Sequence, residues 1–131
     1  MGGDLSDLVV LVVEDNPDFR ALMCDFVEAC GATVREARDG YEAMAQVLRS
    51  APHLIFCDLR MPGLDGFGFV ERLREHPKLS RIPVVAVTGL ADDADVLRSW
   101  SAGFAGHLVK PVNRESIRVQ MERARAAQPP A

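Results

Sequence analysis

The sequence predicts an α/β domain built on an open, doubly wound parallel sheet of five strands, (βα)5. Three observations carry this reading. Apolar, β-branched runs of strand length alternate five times with segments whose apolar residues recur at helical spacing. Such alternation implies right-handed crossovers and a parallel sheet covered by helices on both faces. Five units are too few to close an eight-stranded barrel, and 131 residues make one ordinary domain. The expected division is a leading tail over residues 1–7, the domain over 8–127 and a closing tail over 128–131.

The elements follow in order. Leu8–Val13 is a continuous apolar run, as a strand buried on both faces requires. Phe19, Leu22, Met23, Phe26, Val27 and Cys30 then stripe one face of a helix that Pro17 opens and Gly31 closes. Thr33–Ala37 reads as a short strand, and Met44, Val47 and Leu48 mark a helix ending near Pro52. His53–Cys57 is the third strand, followed by a Pro- and Gly-containing loop and a helix carrying Phe69, Val70 and Leu73. Ile82–Val87 is the fourth strand, and its helix runs through Val96, Leu97 and Trp100 to Gly103. Ala105–Val109 is the fifth, and Ile117, Met121 and Ala124 stripe the last helix. Asp18 and Asp65 are expected to cap helices.

Composition narrows the function classes. With 48% hydrophobic and 26% charged residues the chain is ordinary for a globular protein, neither disordered nor fibrous. A formal net charge of −4 argues against general nucleic-acid binding. No apolar run approaches the length of a membrane span, and Met1–Asp7 lacks a signal-peptide pattern. Cys24, Cys30 and Cys57 have no metal-site or disulfide spacing, so they read as free thiols in a reducing cytoplasm. Of 15 basic residues only Lys78 and Lys110 are lysines, which makes their places worth noting.

In open α/β sheets, ligands bind beyond the carboxyl ends of the strands. Glu14-Asp15 follows strand one, Asp58 strand three, Thr88 strand four and Lys110-Pro111 strand five. The residues after strand two, Glu36-Ala37-Arg38, offer no comparable group. Three carboxylates converging at one edge repel each other and call for compensation. A hard divalent cation supplies it: Mg²⁺, with Mn²⁺ able to substitute, takes oxygen ligands and keeps waters. Glu14, Asp15, Asp58 and a backbone carbonyl in the following loop, that of Arg60, form the expected metal set. The Lys110 ammonium and the Thr88 hydroxyl suit the oxygens of a phosphoryl group, with Asp58 as the attacking carboxylate.

Together, Glu14-Asp15, Asp58 with Met61-Pro62 and Gly66, Thr88-Gly89 and Lys110-Pro111 resemble the receiver domain of two-component response regulators. The resemblance spans Leu8 to Met121. It implies a flavodoxin-like fold with strand order 2-1-3-4-5. It further implies that Asp58 is phosphorylated, Mg²⁺-dependently, by a histidine kinase or a histidine phosphotransfer protein in the cytoplasm. Thr88 and Lys110 would sense the phosphoryl oxygens. The aromatic that such domains carry three residues before the lysine is His107 here, a switch candidate that titrates near neutral pH. Arg60 and Leu90 fall where the approach of hydrolytic water is controlled and would shield the phosphoryl group. Val96, Trp100 and His107 would lie on the helix 4–strand 5–helix 5 face that such domains use for a downstream protein or for dimerisation. The charges of the last helix (Arg114, Arg118, Arg123 and Arg125 against Glu115 and Glu122) read as a solvated surface.

Three other classes compete. A haloacid-dehalogenase-like phosphatase needs a general acid two residues past its nucleophile, where Arg60 stands. A flavin module needs a phosphate cradle after strand one, where Glu14-Asp15-Asn16-Pro17-Asp18 is anionic. A degenerate receiver, serving only as an interaction module, would lack site residues that are all present. With no output segment after the last helix, the chain is expected to be a free-standing regulator or a receiver cut from a longer protein such as a hybrid kinase.

Overall fold

Strands made of β-branched and aromatic residues need cover on both faces, and the fold provides it. The computed structural model describes residues 5–89 and 93–128. The strands are β1 (Val9–Val13), β2 (Thr33–Ala37), β3 (Leu54–Asp58), β4 (Val84–Thr88) and β5 (Gly106–Val109). They alternate with α1 (Pro17–Ala29), α2 (Gly40–Arg49), α3 (Gly66–Glu75), α4 (Asp93–Ala102) and α5 (Arg114–Ala127). All strand pairs are parallel, in the order β2-β1-β3-β4-β5. The open, doubly wound sheet expected from the alternation, and the flavodoxin-like strand order implied by the resemblance, are the ones observed.

Strand period 2 divides the core in two. Leu11, Val13, Ile55, Cys57, Val84 and Ala86 face α2 and α3, where they meet Val47, Phe67, Val70 and Leu73. Val10, Val12, Leu54, Phe56, Val85 and Val87 face the other way, onto Met23 and Val27 of α1 and Ile117 and Met121 of α5. Leu5, assigned from sequence to the leading tail, is buried in this second cluster.

Some helix details differ from the sequence reading. On α1 the buried side carries Met23, Cys24 and Val27, while Leu22 turns outward and is 44% exposed. Asn16, not Asp18, caps α1, because Pro17 takes the first helical position and the Asn16 side chain accepts from the Phe19 amide at 3.0 Å. Asp18 sits instead in the first turn, where its charge favours the helix dipole. Asp65 caps α3 as expected, accepting from the Gly68 amide at 2.9 Å. The largest departure is α4. Leu97, placed on its apolar stripe, is exposed, as is Trp100 beside it, and Ser99 is the residue fully buried beneath the helix. Strand ends shift by one or two residues: β3 runs through Asp58, and β4 begins after Pro83, which has no amide to donate.

At the edge of the sheet away from the strands' carboxyl ends, the half-buried Arg74 gathers several loops. Its guanidinium donates to the carbonyls of Ser80 (2.9 Å), Ile82 (2.8 Å) and Gly103 (2.8 and 3.1 Å). Gly103 has φ +102°, the left-handed turn that ends α4.

Two expectations follow from this packing. A methyl on Gly66, at the start of α3, would collide with the Asp58 carbonyl and lie 3.0 Å from the Leu59 Cα. Gly66→Ala should therefore cost about 1–3 kcal/mol in urea unfolding; an unchanged midpoint would show that this loop yields freely. Burial pushes the Cys24 thiol up to about 11 and Cys57 well above its usual value. At pH 8 roughly a thousandth of Cys24 is thiolate, so iodoacetamide should alkylate the native chain once, at Cys30. Rapid modification at three sites without denaturant would contradict this.

Candidate functional site

The parallel register sets the site. Val13 pairs with Cys57, Asp58 with Val87 and Thr88 with Val109, so the residues ending β1, β3, β4 and β5 come out at one edge. Glu14 leaves β1 buried, and its amide donates to the Ala37 carbonyl at 3.0 Å. Asp58 is buried as the last residue of β3, and Thr88 as the last of β4. Lys110 follows β5, held by its amide on the Thr88 carbonyl at 2.8 Å.

These side chains meet. One carboxylate oxygen from each of Glu14, Asp15 and Asp58 lies within 4.8 Å of the others. The Lys110 ammonium donates to Glu14 Oε1 at 2.7 Å and to Asp58 Oδ2 at 3.3 Å. The second Asp58 oxygen, Oδ1, accepts from the Arg60 amide at 3.1 Å. Glu14 Oε2 accepts from the Asn16 amide at 3.0 Å. Burial alone would lower the Lys110 ammonium, but its bond to Glu14 and the charges of Asp58 and Glu14 outweigh that and hold it above the usual lysine value. Asp15 is raised, by burial first and then by its contact with and repulsion from Glu14. The donor set is all oxygen, anionic and crowded, which fits a hard divalent cation better than a soft one.

His107 is placed by a different network. The Ser99 hydroxyl donates to the Val96 carbonyl at 2.7 Å and lies 3.2 Å from His107 Nδ1. A hydroxyl has one proton to give, so Nδ1–H is the donor in that second contact. Nε2 is buried with no partner among the described residues. Burial lowers the His107 pKa, opposed by the charge of Asp95, which favours a neutral ring.

The other sequence candidates divide. Trp100, half exposed, lies on the outer side of α4, and Val96 is partly buried. The Arg60 side chain reaches away from Asp58 to Asp95 of α4, at 2.8 and 2.9 Å. Leu90 lies outside the described residues. Sequence reasoning passed over Asn16, which fixes Glu14, and Phe19, whose ring centre is 4.3 Å from the Lys110 nitrogen. It also missed Asp95 and Ser99. Phe19 carried a signal only as a stripe residue, and Asp95 and Ser99 carried none beyond interrupting an apolar pattern.

The chain is similar to known proteins in sequence and fold. The family model of the response regulator receiver domain matches residues 10–122. A gliding motility regulatory protein of Myxococcus xanthus is 43% identical over 103 residues, which is 79% of this chain and 13% of that protein. An uncharacterized 14.6 kDa protein of Leptolyngbya boryana is 37% identical, covering 97% of this chain and 98% of its own length. The chain thus spans a small part of the first relative and nearly all of the second. Among solved structures, the signal receiver domain of a histidine kinase from Syntrophus aciditrophicus superposes with a TM-score of 0.87 at 28% identity, covering 95% of this chain and 96% of that one. The receiver domain of a sensor histidine kinase from Pseudomonas aeruginosa PAO1, with magnesium coordinated in its active-site cleft, gives 0.85 at 28% identity over 92% and 98% of the two chains. With the family pattern matched over most of its length and the strand-end residues gathered at one edge, this chain belongs to the response regulator receiver domains of two-component signalling.

Proposed function

We propose that Asp58 accepts a phosphoryl group from a phosphohistidine on a histidine kinase or histidine phosphotransfer protein, and that the domain signals through the face made by α4, β5 and α5. The observation that supports this best is the pairing of Asp58 with Lys110 beside two further carboxylates. A nucleophilic carboxylate lies within 3.3 Å of an ammonium at the open end of a parallel sheet. In the transfer, an Asp58 oxygen bonds to phosphorus as the phosphorus–nitrogen bond breaks. The departing imidazole keeps that electron pair. Lys110 then trades part of its contact with Glu14 for a phosphoryl oxygen, and the Thr88 hydroxyl donates to another. Glu14, Asp15, Asp58 and the Arg60 carbonyl would hold Mg²⁺ or Mn²⁺. When bound, the cation supplies positive charge against the phosphoryl oxygens. Later hydrolysis of the acyl phosphate resets the domain, so its chemistry serves signalling and not turnover of a substrate.

His107 and Thr88 are read as the switch pair. They lie on neighbouring strands, β5 and β4, and His107 is tied to α4 through Ser99. Leu97, Trp100 and Val109, exposed at 68%, 50% and 52%, make the apolar part of the output face. Trp100 is its natural anchor for a downstream protein or a second copy. No described helix is long and apolar enough to cross a membrane, and the three free thiols suit a cytoplasmic setting.

The test is incubation with acetyl phosphate and Mg²⁺, read by intact mass. The native chain should gain about 80 Da, one phosphoryl group, and lose it when the cation is chelated beforehand. Asp58→Asn should gain nothing. Lys110→Ala should be phosphorylated on the order of a hundredfold more slowly. An adduct that persists in Asp58→Asn would assign the phosphoryl group elsewhere.

A further inference from the structure

Helix α4 is attached to the domain in an unusual way. Ser99 is its one buried side chain among the described residues, and its large apolar residues Leu97 and Trp100 face outward. Ala102 packs against the first core cluster and Val96 is partly buried, and polar contacts supply the rest of its described attachment. Ser99 meets His107 at 3.2 Å, and the Arg98 guanidinium stacks 3.9 Å above the Phe67 ring. Near the start of the helix, Asp95 takes Arg60 Nη2 on both carboxylate oxygens, at 2.8 and 2.9 Å. Arg60 belongs to the loop after β3, and its own amide donates to Asp58 Oδ1. One residue therefore touches the phosphoacceptor with its backbone and α4 with its side chain.

The two partners of this pair differ in exposure. The Arg60 side chain is 66% exposed and Asp95 only 15%. The guanidinium is the mobile member: long, wet and planar, suited to carboxylate or phosphate alike. Two residues away, Asp58 in its resting state already has Lys110 as counter-charge. A phosphoryl group there would carry close to two negative charges in place of the carboxylate's one, with three strong acceptors.

We infer that Asp95 is a positioning residue that parks the Arg60 guanidinium on α4, and that phosphorylation of Asp58 draws it off by competition, freeing the first half of that helix. The inference rests on the proposed phosphorylation of Asp58 and adds a route by which the new charge reaches the output face. No bond is made or broken in this step; a cation exchanges one anion for another. Because coupling between two sites is reciprocal, loss of Asp95 must also strengthen the hold on the phosphoryl group.

The test uses the full chain with Mg²⁺ and beryllium trifluoride, a phosphoryl analogue, titrated by calorimetry, together with amide hydrogen exchange over residues 94–102. Asp95→Asn should bind the analogue about two- to fivefold more tightly than the native chain, the span of an exposed ion pair. Adding Arg60→Gln should abolish that gain, and Asp95→Glu should restore native affinity. At rest, Asp95→Asn and Arg60→Gln should each speed exchange in α4 by a similar factor while sheet amides stay protected. The analogue should speed α4 exchange in the native chain and add little in the variants. Native or weaker affinity in Asp95→Asn, or α4 exchange indifferent to a bound analogue, would overturn the inference alone. No binding of the analogue by the native chain, together with no mass gain from acetyl phosphate, would overturn the proposed phosphorylation and this inference with it.

Discussion

Electrostatic repulsion at the carboxyl edge of the sheet is the constraint around which the rest is arranged. The parallel register delivers Glu14 and Asp58 into near-complete burial within a few ångströms of each other and of Asp15. Burying like charges together is costly unless a cation joins them. Lys110 is that cation, and β5 exists in the right place to bring it. Its ammonium touches both buried carboxylates and lies over the Phe19 ring. A lysine suits the position because a compact ammonium on a flexible stem can follow a moving oxygen, whereas an arginine fork is fixed in shape. In a chain that otherwise chooses Arg, the second lysine, Lys78, is simply an exposed loop residue.

The five helices are not held alike. Met23 and Val27 of α1, Ile117 and Met121 of α5, and Phe67, Val70 and Leu73 of α3 are fixed by apolar burial, which is strong and indifferent to charge. α4 joins the Ala102 contact with the core to an ion pair, a hydrogen bond and a cation–π contact, each weak. If Asp58 is phosphorylated as proposed, a helix attached partly through charge gives the domain an element that the new charge can reach.

Sequence alone made the fold legible because burial on both faces and helical periodicity leave separate marks. It also made Glu14, Asp15, Asp58, Thr88 and Lys110 legible, since parallel topology obliges strand ends to converge. What stayed hidden depended on rotation and reach. A stripe on α4 through Val96, Leu97 and Trp100 is a fair pattern, yet only the packed helix shows that Ser99 is turned inward. Asn16 displaced Asp18 as the α1 cap because a proline between them decided where the helix starts. The Arg60–Asp95 contact joins residues 35 positions apart through a long side chain, and no local pattern encodes such a meeting. The Nδ1–H donor of His107 likewise follows from one proton on Ser99, which becomes visible only when the partners are in place.

Arg74 has a consequence at the other end of the same helix. It clamps the Gly103 carbonyl, directly after α4, to the carbonyls of Ser80 and Ile82. That grip needs no anion and lies on the side of the sheet away from the carboxylates. Should the Arg60–Asp95 contact be released as inferred above, α4 would keep a fulcrum at its carboxyl end. Its displacement would then be a swing about Gly103, largest close to Asp58, and Trp100, one turn from the fulcrum, would change its tilt more than its position.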